Sequence, residues 1–137
     1  MIVLHNYSFQ NIRSFTTKQT INLDERSKLI QIDGENKNTG GSSGSGKSTA
    51  LIAIDYLFGL SDLPSTVLQS WLTKDEMVVE AHLTINKTKT FIRRSKKKGL
   101  LLQYGEAEFQ GSLAEEKLQE IIGIPKKIFK QMIQSSV

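Results

Sequence analysis

Hydrophobic and polar residues along the chain repeat with a period of two in some stretches and near 3.6 in others, which separates candidate strands from candidate helices. Residues 1–9 alternate imperfectly, Val3, His5, Tyr7 and Phe9 against Ile2 and Leu4, and predict a strand. Residues 11–15 turn it. Thr20, Ile21, Asn22 and Leu23 predict a second short strand, and Leu29, Ile30 and Ile32 make residues 28–33 a third, buried one that ends at Gly34. Residues 49–58 are too uniformly apolar for a surface helix and predict a buried one, closed by Gly59.

Beyond Pro64, which breaks the pattern, residues 65–72 predict a short helix with Trp71 on its apolar side. Period-two alternation then returns. Residues 77–85, 88–94 and 100–104 read as three strands joined by a turn at Asn86 and Lys87 and a basic turn over 95–99, the economical form being an antiparallel meander. Residues 106–109 extend it. Ser112 and Glu115 have capping-box spacing and open a helix to Gly123 with Leu113, Leu118, Ile121 and Ile122 on one face. Pro125 starts a last short helix through Ile128, Phe129 and Met132.

The chemistry concentrates between the third strand and the first helix. Gly41, Ser42, Ser43, Gly44, Ser45, Gly46, Lys47, Ser48 and Thr49 meet the G-x-x-x-x-G-K-[ST] pattern in full. Gly41, Gly44 and Gly46 supply the backbone freedom to wrap an anion with amides facing inward. Lys47 reaches the β- and γ-phosphates, the Ser48 hydroxyl is placed for Mg²⁺, and Thr49 follows at the first helical turn. A linker reading of this Gly/Ser-rich stretch is opposed by its setting, since strand, glycine loop and helix aim a helix N-terminus at the phosphate. Residues 34–40 insert a longer turn than usual. They read as a mobile turn, or as polar groups, Asn36, Lys37 and Asn38, beside the nucleotide.

Composition narrows the remaining classes. The chain of 137 residues contains no cysteine and two histidines, His5 and His82, neither with a partner at ligand spacing, so thiolate and imidazole metal sites drop out. No apolar run approaches the ~18 residues of a membrane span, and no leader pattern opens the chain, which predicts a cytosolic protein. A net charge of +4 is concentrated at Lys87, Lys89, Arg93, Arg94, Lys96, Lys97 and Lys98. That run reads either as a solvated hairpin or as a surface for a phosphate backbone. Arg13 reads as a nucleotide, DNA or turn-capping residue, and Trp71 and Tyr104 as packing residues rather than base stackers.

A phosphate-loop ATPase also needs an apolar strand ending in a carboxylate, for Mg²⁺ and the attacking water. Asp33, Asp55 and Glu80 are the candidates, and none ends an independent strand beside the loop. The residues therefore predict ATP binding without unaided hydrolysis.

The order of parts resembles the N-terminal half of the ATPase head of SbcC/SMC-type ABC ATPases. Phe9 to Phe15 (Phe-Gln-Asn-Ile-Arg-Ser-Phe), the strands at 20–23 and 29–34, the glycine loop, the meander with Phe91, Ile92, Arg93 and Arg94, and the late helix with Ile128, Phe129, Lys130 and Gln131 carry the likeness. The last segment is most similar to the large subunit of phage recombination nucleases. The resemblance implies an α/β P-loop NTPase lobe of ABC-ATPase type over residues 1–137: a mixed sheet with the loop helix, an antiparallel β-meander beside it, and helices at the C-terminal end. It implies ATP and Mg²⁺ as cofactors. Implied partners are the chain's own C-terminal ATPase half beyond a coiled coil, a second head in a homodimer, a nuclease subunit and double-stranded DNA, with no membrane. The setting would be the cytoplasm, at the nucleoid or in a phage-infected cell. ATP hydrolysis would require the C-terminal half, and nuclease activity would lie in a partner. The family's magnesium-contacting glutamine would fall at Val137 or beyond, so Gln134 is the nearest catalytic candidate, and its usual loop asparagine is Ser43 here.

Three alternatives stay open. A transporter-type ATP-binding subunit shares the loop but not the strand order before it. A small kinase or GTPase lacks support, because Asn36-Lys37-Asn38-Thr39 and Asn86-Lys87-Thr88-Lys89 miss the Asp of a guanine-reading motif and no arginine-rich lid follows. An interaction domain with a structural anion site is opposed by Lys47 and Ser48 occurring together.

Overall fold

A computed structural model describes residues 2–22, 43–61 and 68–135 of the chain. Among them, strands β1 (Ile2–Gln10), β2 (Gln19–Asn22), β3 (Val78–Ile85), β4 (Thr88–Ser95), β5 (Gly99–Tyr104) and β6 (Ala107–Gln110) form one six-stranded sheet in the order β2-β1-β3-β4-β5-β6. Every pairing is antiparallel. The helices are α1 (Ser43–Leu57), α2 (Ser112–Ile122) and α3 (Lys126–Ser135). The described part is thus an α/β arrangement with helices at its C-terminal end. The expected strand at 28–33 and any mixed sheet containing it lie outside the described residues.

The meander is not a separate sheet. β1 pairs with β3 from Ile2↔Ile85 to Gln10↔Val78, so the N-terminal strands and the meander are continuous. A sequence-distant pairing of this kind leaves no local signal, whereas the turns do. Asn86 (φ 51°) and Lys87 (φ 68°) are both left-handed, the two-residue hairpin that matches strand twist.

The imperfect alternation in β1 also has a structural cause. The register against β3 slips between Leu4 and Asn6, making His5 an extra residue in a β-bulge. The slip rephases the strand, so that Leu4 before it and Tyr7 and Phe9 after it all face the core. Without it, one of those groups would face water.

One face of the sheet presents Tyr7, Phe9, Val79, Ala81, Leu83, Ile85, Ile92, Leu100 and Leu102, and these cluster with Ala50, Ala53, Ile54 and Leu57 of α1. Two bonds fix the direction of that helix. Tyr7 on β1 donates its hydroxyl to the Ala50 carbonyl at 3.3 Å, and Arg94 on β4 donates Nε to the Leu57 carbonyl at 3.0 Å. These bonds tie the middle of α1 to β1 and its C-terminal end to β4.

Helix ends differ in part from expectation. α2 begins at Ser112 with Gly111 as its cap (φ 65°) and no side-chain cap bond, so there is no capping box. Glu115 is drawn instead to Arg94. The buried face of α2 is Ala114 and Leu118, and Leu113 is exposed. Gly123 closes α2 in the left-handed conformation, as its position predicts. In α3 the buried residues are Phe129 and Ile133 while Ile128 is exposed, and the Phe129 ring meets Phe58 edge-on at 5.1 Å.

Candidate nucleotide site and the basic segment

α1 is built to be embedded. From Thr49 to Leu57 it is largely apolar, and Gly59 (φ 71°) ends it, with Gly59 N–H bonded to the Tyr56 carbonyl at 3.1 Å and Leu60 N–H to that of Asp55 at 2.8 Å. Thr49 and Ala50 are already buried. The helix starts at Ser43, earlier than the glycines suggest, so Thr49 sits in the second turn and not the first. An earlier start leaves the N–H groups of Ser43, Gly44, Ser45 and Gly46 without intrahelical acceptors. Gly41 and Ser42 lie outside the described residues, as do the side chains of Ser43, Ser45, Lys47 and Ser48. The backbone therefore brings Gly44, Ser45, Gly46, Lys47 and Ser48 together in the first turns of one buried helix.

The nucleotide expectation rests on these amides together with the side chains of Lys47 and Ser48, which lie outside the described residues. The carboxylate partners are a different matter. Asp55 lies seven residues past Ser48, about 10 Å along the helix. Glu80 is on the other face of the sheet, where it accepts bonds from Lys18 at 2.8 Å and Ser8 at 3.3 Å. Burial pushes its carboxyl up, but the Lys18 bond and charge, with Arg93 and Ser8, outweigh it and hold the group below the ordinary range. Asp33 lies outside the described residues. Among the described residues no three metal-ligating side chains come together. Gln134 lies in the last turn of α3, with its side chain outside the description.

The basic run, continuous in sequence, is divided in space. Lys87 is in the β3–β4 turn and Lys96, Lys97 and Lys98 are in the β4–β5 turn, at opposite ends of β4. Lys89 and Arg93 share the sheet face of Glu80, since Arg93 pairs in register with it. Arg94, one residue on, faces the core side. It clamps Glu115 with two bonds of 2.6 and 2.8 Å as well as Leu57, and its side chain is only 12% exposed. The Arg94 bond holds the Glu115 carboxyl below its ordinary range against the opposing effect of burial. Arg94 is thus an internal tie between α1, β4 and α2.

The residues read as packing aromatics separate. Tyr104 is half-buried, with its hydroxyl 3.4 Å from the Ile85 carbonyl. Trp71 is 71% exposed, so the packing reading fails for it. Of the expected short helix over 65–72, residues 65–67 lie outside the described residues, and the expectation fails for Gln69 to Leu72, which form an irregular loop containing Trp71. Arg13 has a left-handed backbone (φ 50°), with its N–H bonded to the Leu68 carbonyl at 3.0 Å. The role of Arg94 and the exposure of Trp71 were both missed by sequence reasoning. Strand alternation gave a signal for the first, because neighbours such as Arg93 and Arg94 must face opposite sides.

No family model matches the chain, and neither does any curated protein. No described helix is long and apolar enough to cross a membrane.

Proposed function

We propose that the chain is the ATP-binding half of a DNA repair or recombination ATPase of the SbcC/SMC kind, in which ATP-driven pairing of two heads regulates DNA binding and an associated nuclease. The observation that supports this is the complete glycine-loop motif of the sequence, which runs into an apolar helix packed on a sheet. In this reading the free amides of residues 43–46 donate to the phosphates. Lys47 neutralises β- and γ-phosphate charge, and the Ser48 hydroxyl would hold Mg²⁺, which supplies further charge neutralisation. The remaining metal ligands and the groups that orient water would come from the C-terminal half. A γ-phosphate held between two heads favours the closed state because it contacts both surfaces only there.

Calorimetric titration of the chain with Mg-ATP and Mg-GTP tests the reading. It predicts saturable binding of ATP in preference to GTP, abolished in Lys47→Ala while the far-ultraviolet dichroism is kept. A preference for GTP would favour the small-GTPase alternative, and binding unaffected by Lys47→Ala would place the nucleotide elsewhere.

A further inference from the structure

One end of the sheet carries an exposed indole and a group of cations. Trp71 and Leu72 are 71% and 60% exposed, in a fold that buries most of its large apolar side chains. The loop that displays them is tied at several points. Gln69 bridges to Ile12, donates to the Asp75 carbonyl at 2.6 Å and accepts from Met77 N–H at 3.1 Å. Ser70 N–H bonds the Asn11 carbonyl at 2.9 Å, and Ser70 Oγ accepts from Leu72 N–H at 3.1 Å. Trp71 therefore projects from a braced loop.

The same network reaches the lysine turn. Asn11 Nδ2 donates to the Glu76 carbonyl at 2.8 Å, and the Glu76 carboxylate accepts from Lys97 N–H at 2.9 Å. Trp71 and Lys97 are thus joined through Ser70, Asn11 and Glu76. Lys96, Lys97 and Lys98 are exposed in that turn, Lys74 is exposed beside Trp71, and Arg13 sits in the adjoining bend. None of these five cations forms an ion pair with another described residue. The acidic groups of this loop are Asp75 and Glu76, and Glu76 is turned to the hairpin backbone. The local excess is positive.

We propose that this end of the sheet binds unpaired nucleic acid, with Trp71 stacking on a base and Lys96, Lys97 and Lys98 engaging phosphates. Cations with no ion-pair partner among the described residues favour a polyanion over an apolar peptide. A projecting indole favours unpaired bases over duplex, because a duplex already stacks its bases internally. The proposal deepens the DNA side of the proposed function and uses no residue of the glycine loop, so it and the ATP reading can fail separately.

Trp71 is the only tryptophan of the chain, so its fluorescence reports directly on the site. The experiment titrates the chain with a dT oligomer and with a blunt duplex over a range of salt. The expected result is quenching by the dT oligomer, with weaker binding of duplex. Trp71→Ala, followed by oligomer anisotropy, should weaken dT binding at least about fivefold and leave duplex binding unchanged. Replacing Lys96, Lys97 and Lys98 together by alanine should make the logarithmic salt slope shallower by about two. Both variants change exposed residues, and unchanged thermal melts would verify that they fold. Absence of quenching at low salt, equal affinity for duplex, or an unchanged slope in the lysine variant would overturn the proposal. So would Trp71 emission that shifts with protein concentration alone, which would put a second copy of the chain on the patch.

Discussion

Arg94 and Glu115 face each other through two bonds of 2.6 and 2.8 Å, and the Arg94 Nε simultaneously holds the Leu57 carbonyl at 3.0 Å. One guanidinium therefore fixes the C-terminal end of α1 against the first turn of α2. Its planar fork meets two carboxylate oxygens and a carbonyl at once, which a single ammonium cannot reproduce. Replacing Arg94 by alanine is expected to lower stability by about 2 kcal/mol, and by lysine to recover only part of that loss. Urea denaturation measures both. Arg94→Ala should also leave the salt dependence of oligonucleotide binding unchanged, in contrast to the lysine turn.

Gly59 is coupled to the same guanidinium. A Cβ at Gly59 would lie 3.1 Å from Arg94 Nη2, and the backbone there is left-handed. Gly59→Ala should cost about 1–2 kcal/mol from the backbone alone, with a further loss from displacing Arg94. The second loss should vanish in an Arg94→Ala background. A double-mutant cycle by denaturation is expected to show this non-additivity.

Acid should weaken the fold through two carboxyls. Glu80 and Glu115 both titrate lower in the fold than their ordinary value of 4.5. Below about that pH the unfolded chain takes up protons before the folded chain does. Their stabilisation is present above pH 4.5 and is lost as pH falls through the depressed folded values. Glu115→Gln should reduce stability at neutral pH and flatten part of the acid decline in a series of melts.

Alkali should leave Tyr7 protonated past the ordinary tyrosine range, because burial disfavours its phenolate. Spectrophotometric titration is expected to show a late fraction of the tyrosine signal that appears only with unfolding. Burial raises Tyr56 as well, so Tyr7→Phe should reduce that fraction without abolishing it, and cost about 1 kcal/mol or less, since its bond to Ala50 is long at 3.3 Å.

Local physics explains which elements were legible in the sequence. The meander could be read because Val79, Ala81, Leu83 and Ile85 alternate and because Asn86 tolerates the left-handed turn. Gly123 was legible as a helix stop for the same backbone reason. The pairing of β1 with β3 was not, because contacts between residues about eighty positions apart leave no periodic trace. Nor was the start of α2, where Arg94 competes for the Glu115 carboxylate that a capping box would have used. For the candidate nucleotide site, the motif itself was fully legible, whereas residues 23–42 lie outside the described residues. The basic run misled in a different way: seven cations close in sequence became two turns, the sheet face of Glu80 and one internal tie. Trp71 was misplaced by pattern, which put it on the apolar side of a helix over 65–72, whereas Gln69 to Leu72 form an irregular loop tied to Asn11 and Asp75.

The proposed glycine-loop site should bind ATP that the chain does not turn over by itself. Phosphate release followed in the same samples as a Mg-ATP titration checks both halves of that expectation. Saturable heat of binding with phosphate release at the level of Lys47→Ala is the predicted result. Efficient turnover by the chain alone, or no binding of Mg-ATP, would contradict it.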